Sequence, residues 1–268
     1  NFHRTFVPER RHIGALLHYA ALGKAGTYQE IGAETGIPMG VSTGKVPAIM
    51  DYALGMGLIE MANEEGQIRR PALTALGRVV YAEDQYLGEG VNQWVAHVNL
   101  CREGGGAEAW RVVFGEGRGV LGVRFSRQQL EDYLVARLGP GNNRTGPLVR
   151  AYTDEAALGR AGVLTASEQV IERGKAPLVE AYATAYSALI LGLMEVHFSG
   201  DTQVTVTDLS ERTWLFDVCL WGGGDVEQLG ALLDRKGYVA VDRQMRPWVL
   251  ERRATADSVW PSLYEELV

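Results

Sequence analysis

Three helical stretches, each closed by glycine and followed at once by a hairpin pattern, constrain this chain more than any other feature. Ile13, Leu16, Leu17, Ala20 and Ala21 fall at helical spacing after Pro8, and Gly23 and Gly26 close that stretch. Thr27, with Glu30 three positions on, forms a capping-box start that turns Ile31 inward, and Gly36, Ile37 and Pro38 end the second helix. A third helix opens between Ser42 and Pro47, where proline is tolerated because a first-turn N–H has no intrahelical acceptor. It runs through Ile49, Met50 and Ala53 and stops at Gly55 and Gly57. Leu58 to Met61 reads as a strand, Asn63 to Gly66 as a turn and Gln67 to Arg70 as the returning strand; Thr74 then caps a fourth helix from Ala75 to Tyr81. This order predicts a winged helix-turn-helix over residues 1–88, whose third helix is the one that usually docks in a DNA groove.

Charge distribution decides whether DNA is a reasonable partner. The net charge of −7 argues against it, but the excess acid lies beyond the first module. Residues 1–80 carry 8 Lys/Arg against 7 Asp/Glu, whereas residues 201–268 carry 7 against 12. Within the near-neutral module, Ser42, Thr43 and Lys45 stand at the start of the third helix, where hydroxyls, free N–H groups and a cation suit a phosphate. Arg69 and Arg70 on the returning strand supply the second backbone contact. The same residues also admit a plain reading, with Ser42 and Thr43 as caps and Lys45, Arg69 and Arg70 as solvated surface.

Residues 89–200 are expected to form a helical middle region. Trp94, Val95 and Val98 mark a helix within it, with His97 and Asn99 as hydrogen-bonded buried polar groups. Further helices are expected over 127–138, 148–157, 167–172 and 178–196, with a flexible loop at 139–147. Residues 201–268 suggest a small α/β unit. Gln203 to Thr207 alternates as a strand, Thr213 to Trp221 is an apolar helix or strand, Asp225 caps a helix to Arg235, and residues 237–251 form a hairpin. The fold class is therefore α+β, mainly helical, ending in a degenerate winged unit whose acidity favours a protein over DNA.

Other chemistry is largely excluded. Gly44 and Lys45 are not a P-loop, because Met39 stands where the first glycine belongs and Val46 where a hydroxyl is required. Gly117, Gly119 and Gly122 have dinucleotide-site spacing after a strand-like Trp110 to Phe114. The next helix, however, starts at Ser126 with Gln129 completing its box, outside the glycine run. Cys101 and Cys219 have no metal spacing and read as reduced core thiols. Asp234, Arg235 and Lys236 have an Asp-x-Lys shape with Asp217 and Asp225 upstream, but that stretch reads as helix whereas nuclease carboxylates usually sit on a sheet, so no nuclease motif and no catalytic constellation stands out. No apolar run reaches a membrane span, and the N-terminus has no signal-peptide pattern, so a cytoplasmic location with no membrane partner is expected.

Five stretches in fixed order carry a family likeness: Phe2, His3, Thr5, Phe6, Val7, Pro8, Glu9 and Arg10; Ser42 to Pro47; Leu54 to Ile59; Leu73, Thr74, Leu76, Gly77 and Arg78; and Asn92, Gln93, Trp94, His97, Asn99 and Leu100. Together they resemble the nicking subunit, the B subunit of the Ssp set, of single-strand DNA phosphorothioation systems. The resemblance implies a protein that binds double-stranded DNA and nicks it with Mg2+. Its companions would be a cysteine desulfurase, an ATPase and an ATP-pyrophosphatase-like subunit. It assigns no catalytic residue or metal ligand here. A non-catalytic DNA-binding regulator or adaptor and a protein-docking scaffold are the alternatives that the residues leave open.

Overall fold

A computed structural model of the chain describes residues 5–39, 44–141 and 144–265, with only the backbone for residues 63–65. Ser42 and Thr43 lie outside the described residues. The chain divides into two compact units, Asn1–Gly174 and Lys175–Val268. The described residues are mainly helical, with three small antiparallel sheets. No helix among the described residues is long and apolar enough to cross a membrane.

One order of elements occurs three times. In the first pass, α1 (Arg10–Ala21) leads to Gly26, which bridges Arg69; then come α2 (Tyr28–Thr35), α3 (Val46–Gly55) and the hairpin β1 (Ile59–Glu65) and β2 (Ile68–Leu73). After α4 (Ala75–Glu83), α5 (Gly90–Leu100) and α6 (Glu108–Trp110), a π-helical turn at Arg111–Glu116 and α7 (Arg118–Leu121) begin the second pass. There β3 (Arg124–Ser126), α8 (Arg127–Leu138), α9 (Thr145–Thr153), β4 (Leu164–Ala166) and β5 (Val170–Arg173) close into a sheet ordered β3-β5-β4. The third pass is α10 (Ala183–His197), β6 (Gln203–Thr205), α11 (Val206–Thr213), α12 (Leu215–Cys219), α13 (Gly223–Lys236), β7 (Val239–Asp242) and β8 (Val249–Arg252). Its sheet is ordered β6-β8-β7, and α14 (Ala256–Val259) follows. In each pass the last strand returns beside the first: Gly26 with Arg69, Phe125 with Ile171, Val204 with Leu250.

The repeat has a local cause. Thr27, Ser126 and Thr205 each end the first strand position and cap the next helix, accepting from the backbone N–H three residues on. That third residue is Glu30, Gln129 or Asp208, and the residue after it is Ile31, Leu130 or Leu209, all fully buried. A hydroxyl cap, a short acid or amide and an inward aliphatic thus set the same strand-to-helix corner three times.

The centre of the first unit is α5, in which every residue from Val91 to Leu100 is buried. Its polar groups are bonded to other elements. Gln93 donates to the Leu87 carbonyl (2.7 Å) and accepts from Ala161 N–H (2.9 Å); Asn99 donates to the Met56 carbonyl (2.8 Å). His97 Nδ1 lies 2.6 Å from the Tyr152 hydroxyl, which also accepts from Trp110 Nε1 at 2.7 Å. His97 and Asn99 are accordingly the bonded buried groups that the sequence predicts.

Several local expectations are overturned. The middle region is not all helical, because β3, β4 and β5 lie within it. Residues 167–172 are a turn and strand: Ser167 N–H donates to the Val170 carbonyl at 2.8 Å, and Val170 to Arg173 pair on both sides. β-branched Val170 and Ile171 favour that pleated position over a helix. The strand-like Trp110 to Phe114 is helical, and the glycine-rich stretch after it holds α7. The alternating Gln203 to Thr207 stops as a strand at the Thr205 cap. Of the helix or strand expected over Thr213 to Trp221, the structure forms the helix α12.

Candidate nucleic-acid interface

Lys45 is the N-cap residue of α3, and Glu9 is the N-cap residue of α1. Their side chains form a close ion pair, Nζ to Oε1, with 14% and 19% of each side chain exposed. The Lys45 ammonium also sits 5.7 Å from the centre of the Phe6 ring. Glu9 Oε2 lies 3.3 Å from His12 Nδ1 and 3.3 Å from Arg11 Nε. Burial acts to raise the Glu9 pKa, but the Lys45 hydrogen bond and charge, with smaller help from His12 and Arg11, hold it below its ordinary value. For His12 burial dominates and lowers the pKa despite the neighbouring carboxylate, so the buried imidazole is held neutral. The Lys45 charge predicted for a phosphate is therefore answered by Glu9 within the fold.

The third helix is core. Eight of its ten residues are buried, and only Asp51 and Leu54 are half-buried. A helix so enclosed cannot lay a side-chain face into a groove. What this region offers is the N-terminal end of α3, beside Gly44 and Lys45, rather than its flank.

Arg69 and Arg70 are neighbours on β2, so their side chains leave opposite faces of the hairpin. Arg69 stacks 5.5 Å from the Tyr28 ring and donates to the Gly66 carbonyl at 2.9 Å. Arg70 is exposed and donates to the Gly23 carbonyl at 3.1 Å. Arg70 braces the hairpin against the α1–α2 connection while keeping its outer edge in solvent, and Arg69 packs the hairpin against Tyr28 at the start of α2.

The stretches that carried the family likeness meet in space. Glu9 of the first pairs with Lys45 of the second. Thr74 donates to the Gly57 carbonyl at 2.7 Å, joining the fourth to the third. Asn99 of the fifth donates to the Met56 carbonyl. Gly77 lies so close to Leu58 that a Cβ there would stand 1.8 Å from the Leu58 carbonyl oxygen. These residues hold α1, α3, α4 and α5 together. Glu9 and His12 were not predicted as a site: their signal was only an i, i+3 pair at a helix start, and the partner that makes them a cluster is 36 residues away.

Among the described residues no group of three or more His, Cys, Asp or Glu side chains could hold a metal ion. The described side chains do not, by themselves, fit a resident-metal cage.

Fold and site together define a mainly helical α+β protein in whose first unit an ion-pair cluster ties the starts of α1 and α3. No family model matches the sequence, and no curated protein matches it. Two solved structures share the fold. One is a crystal structure of magnesium ion-bound SspB, with TM-score 0.66 and 13% identity over 99% of this chain and 86% of that chain. The other is a crystal structure of SspB, with TM-score 0.64 and 15% identity over the same shares. The chain is SspB-like in fold along its length.

Proposed function

We propose that the chain is the SspB-type subunit of a DNA phosphorothioation system, binding duplex DNA and nicking it for a companion machinery. The observation that carries this reading is the fold match to SspB across 99% of the chain. It agrees with the ordered motifs of residues 2–100, which are a separate line of inference from backbone geometry. The neighbour's magnesium suggests that Mg2+ accompanies the activity here too. An ion held by one or two carboxylates, waters and substrate phosphate needs no protein-only cage.

We read the thrice-repeated element order as three winged helix-turn-helix modules and assign DNA contact to the first. Its contacts are Lys45 at the N-cap of α3, Ser42 and Thr43 just before it in the sequence, and Arg69 and Arg70 on the hairpin. With the flank of α3 buried, these groups address phosphates rather than base edges, so binding is salt-dependent and weakly sequence-selective. Cysteine desulfurase, ATPase and ATP-pyrophosphatase-like subunits are the companions in this reading.

Supercoiled plasmid incubated with the pure protein and Mg2+, with and without chelator, tests it. Relaxed circles that chelator abolishes are expected. Duplex binding without relaxed circles identifies a non-catalytic regulator or adaptor, and absence of both identifies a docking scaffold.

A further inference from the structure

The third repeat leaves open a helix face that the first buries. α3 is enclosed on nearly all sides, whereas α13 buries Leu229, Gly230, Leu232 and Leu233 and exposes Gly223, Gly224, Glu227, Gln228 and Ala231. Beside that face, between the start of α11 and the β7–β8 hairpin, lies a cavity of about 380 Å³. Phe216, Val226, Pro247 and Trp248 make its apolar wall, and Glu211, Glu227 and Arg246 are its charged lining residues. The volume falls in the range of pockets that seat small ligands or anchor side chains.

The hairpin side of this cavity is braced. Arg243 and Arg246 lie 5.2 and 5.6 Å from the Trp248 ring. Arg243 pairs with Asp234, and Arg246 with Glu227 at 3.2 Å, so both cations are tied to carboxylates of α13. The unit around the cavity is strongly acidic: residues 175–268 carry 8 Lys/Arg against 14 Asp/Glu, a net of −6. That field repels a polyanion and draws in a cationic partner. An apolar cavity lined by two carboxylates against one arginine, in a unit of net −6, matches one kind of occupant, a large apolar side chain flanked by positive charge.

We propose that this cleft is a docking site for a cationic amphipathic protein segment, which seats one large apolar side chain against Trp248 and sets its lysines or arginines toward Glu211 and, in exchange for the exposed Arg246, toward Glu227. The proposal is independent of whether the chain nicks DNA.

The test uses the full chain and a fluorescein-labelled twelve-residue alanine-based peptide carrying four lysines around a central tryptophan, followed by fluorescence polarisation. Saturable binding is expected. It should weaken by about tenfold or more when the peptide's tryptophan becomes alanine, and likewise in Glu227→Lys. Glu227 is 58% exposed on a helix, so that variant keeps its fold. Trp248→Ala, with its fold checked by circular dichroism, should also lose binding. Absence of binding overturns the proposal, as does binding indifferent to both the anchor and Glu227→Lys, which would be bulk charge alone. Displacement of the peptide by a duplex oligonucleotide whose own binding falls in Arg246→Ala overturns it in favour of DNA.

Discussion

Glu9 and Lys45 join the N-terminal ends of two helices through one ion pair beneath the start of α3. The pair is mostly withdrawn from solvent, and its hydrogen bond is between charged groups. Removing one partner strands the other in a partly dry site, which costs more than the pair contributes when intact. Lys45→Met is expected to lower stability by about 1–3 kcal/mol in urea unfolding. Restoring neutrality with Glu9→Gln in the same chain should recover part of that loss. If the double variant is no better than Lys45→Met alone, the lysine acts through packing on Phe6 instead.

The same cluster gives stability a direction with pH. His12 and Glu9 both have folded pKa values below their ordinary 6.5 and 4.5. The unfolded chain therefore binds their protons more readily, so stability rises with pH across each window. Their contribution is fully present above the ordinary values. It is lost as pH falls, first for His12 below 6.5 and then for Glu9 below 4.5. Melting temperature measured against pH should begin to drop near pH 6.5, and His12→Gln should flatten that first limb. An unchanged limb in the variant would assign the slope to other groups.

Gly77 is fixed by contact rather than by backbone angle. A Cβ there would overlap the Leu58 carbonyl oxygen, and Leu58 leads directly into β1. Neither backbone can retreat easily, since Thr74 already bonds the Gly57 carbonyl and caps α4. Gly77→Ala is expected to cost more than ~3 kcal/mol, enough to show as loss of soluble protein or of the cooperative melt. A stable, cooperatively folding variant would mean that α4 slides on the hairpin at little cost.

How much of this was legible depended on how local the cause was. The capping boxes at Thr27 and Ser126 are readable because hydroxyl and partner stand three residues apart. The matching corner at Thr205 is masked: Val204, Val206 and Thr207 continue a β-branched alternation, and only Asp208, bonded to the Thr205 hydroxyl, shows where the helix begins. Strand β5 was hidden for a similar reason, since its stability comes from partners on both sides that no window of sequence contains. The threefold order of elements followed the same rule. It rests on strand returns such as Phe125 to Ile171 and Val204 to Leu250, which are pairings at long range. Lys45 could be seen as a cation at a helix start, but not as one already paired to Glu9.

Duplex binding through the first module is expected to fall on the hairpin more than on α3. Arg70 is exposed, and its bond to the Gly23 carbonyl uses only part of a five-donor guanidinium, so outward N–H groups remain to meet a phosphate. Lys45, by contrast, must leave Glu9 and its site on Phe6 before it can serve. Arg70→Ala should therefore weaken duplex binding about equally across unrelated sequences and reduce the slope of log affinity against log salt by about 1. The measurement is fluorescence anisotropy on two duplexes of different sequence at four salt concentrations. Lys45→Met should change that slope less while lowering stability more. A slope that drops for Lys45→Met and stays put for Arg70→Ala would move the phosphate contact to the start of α3.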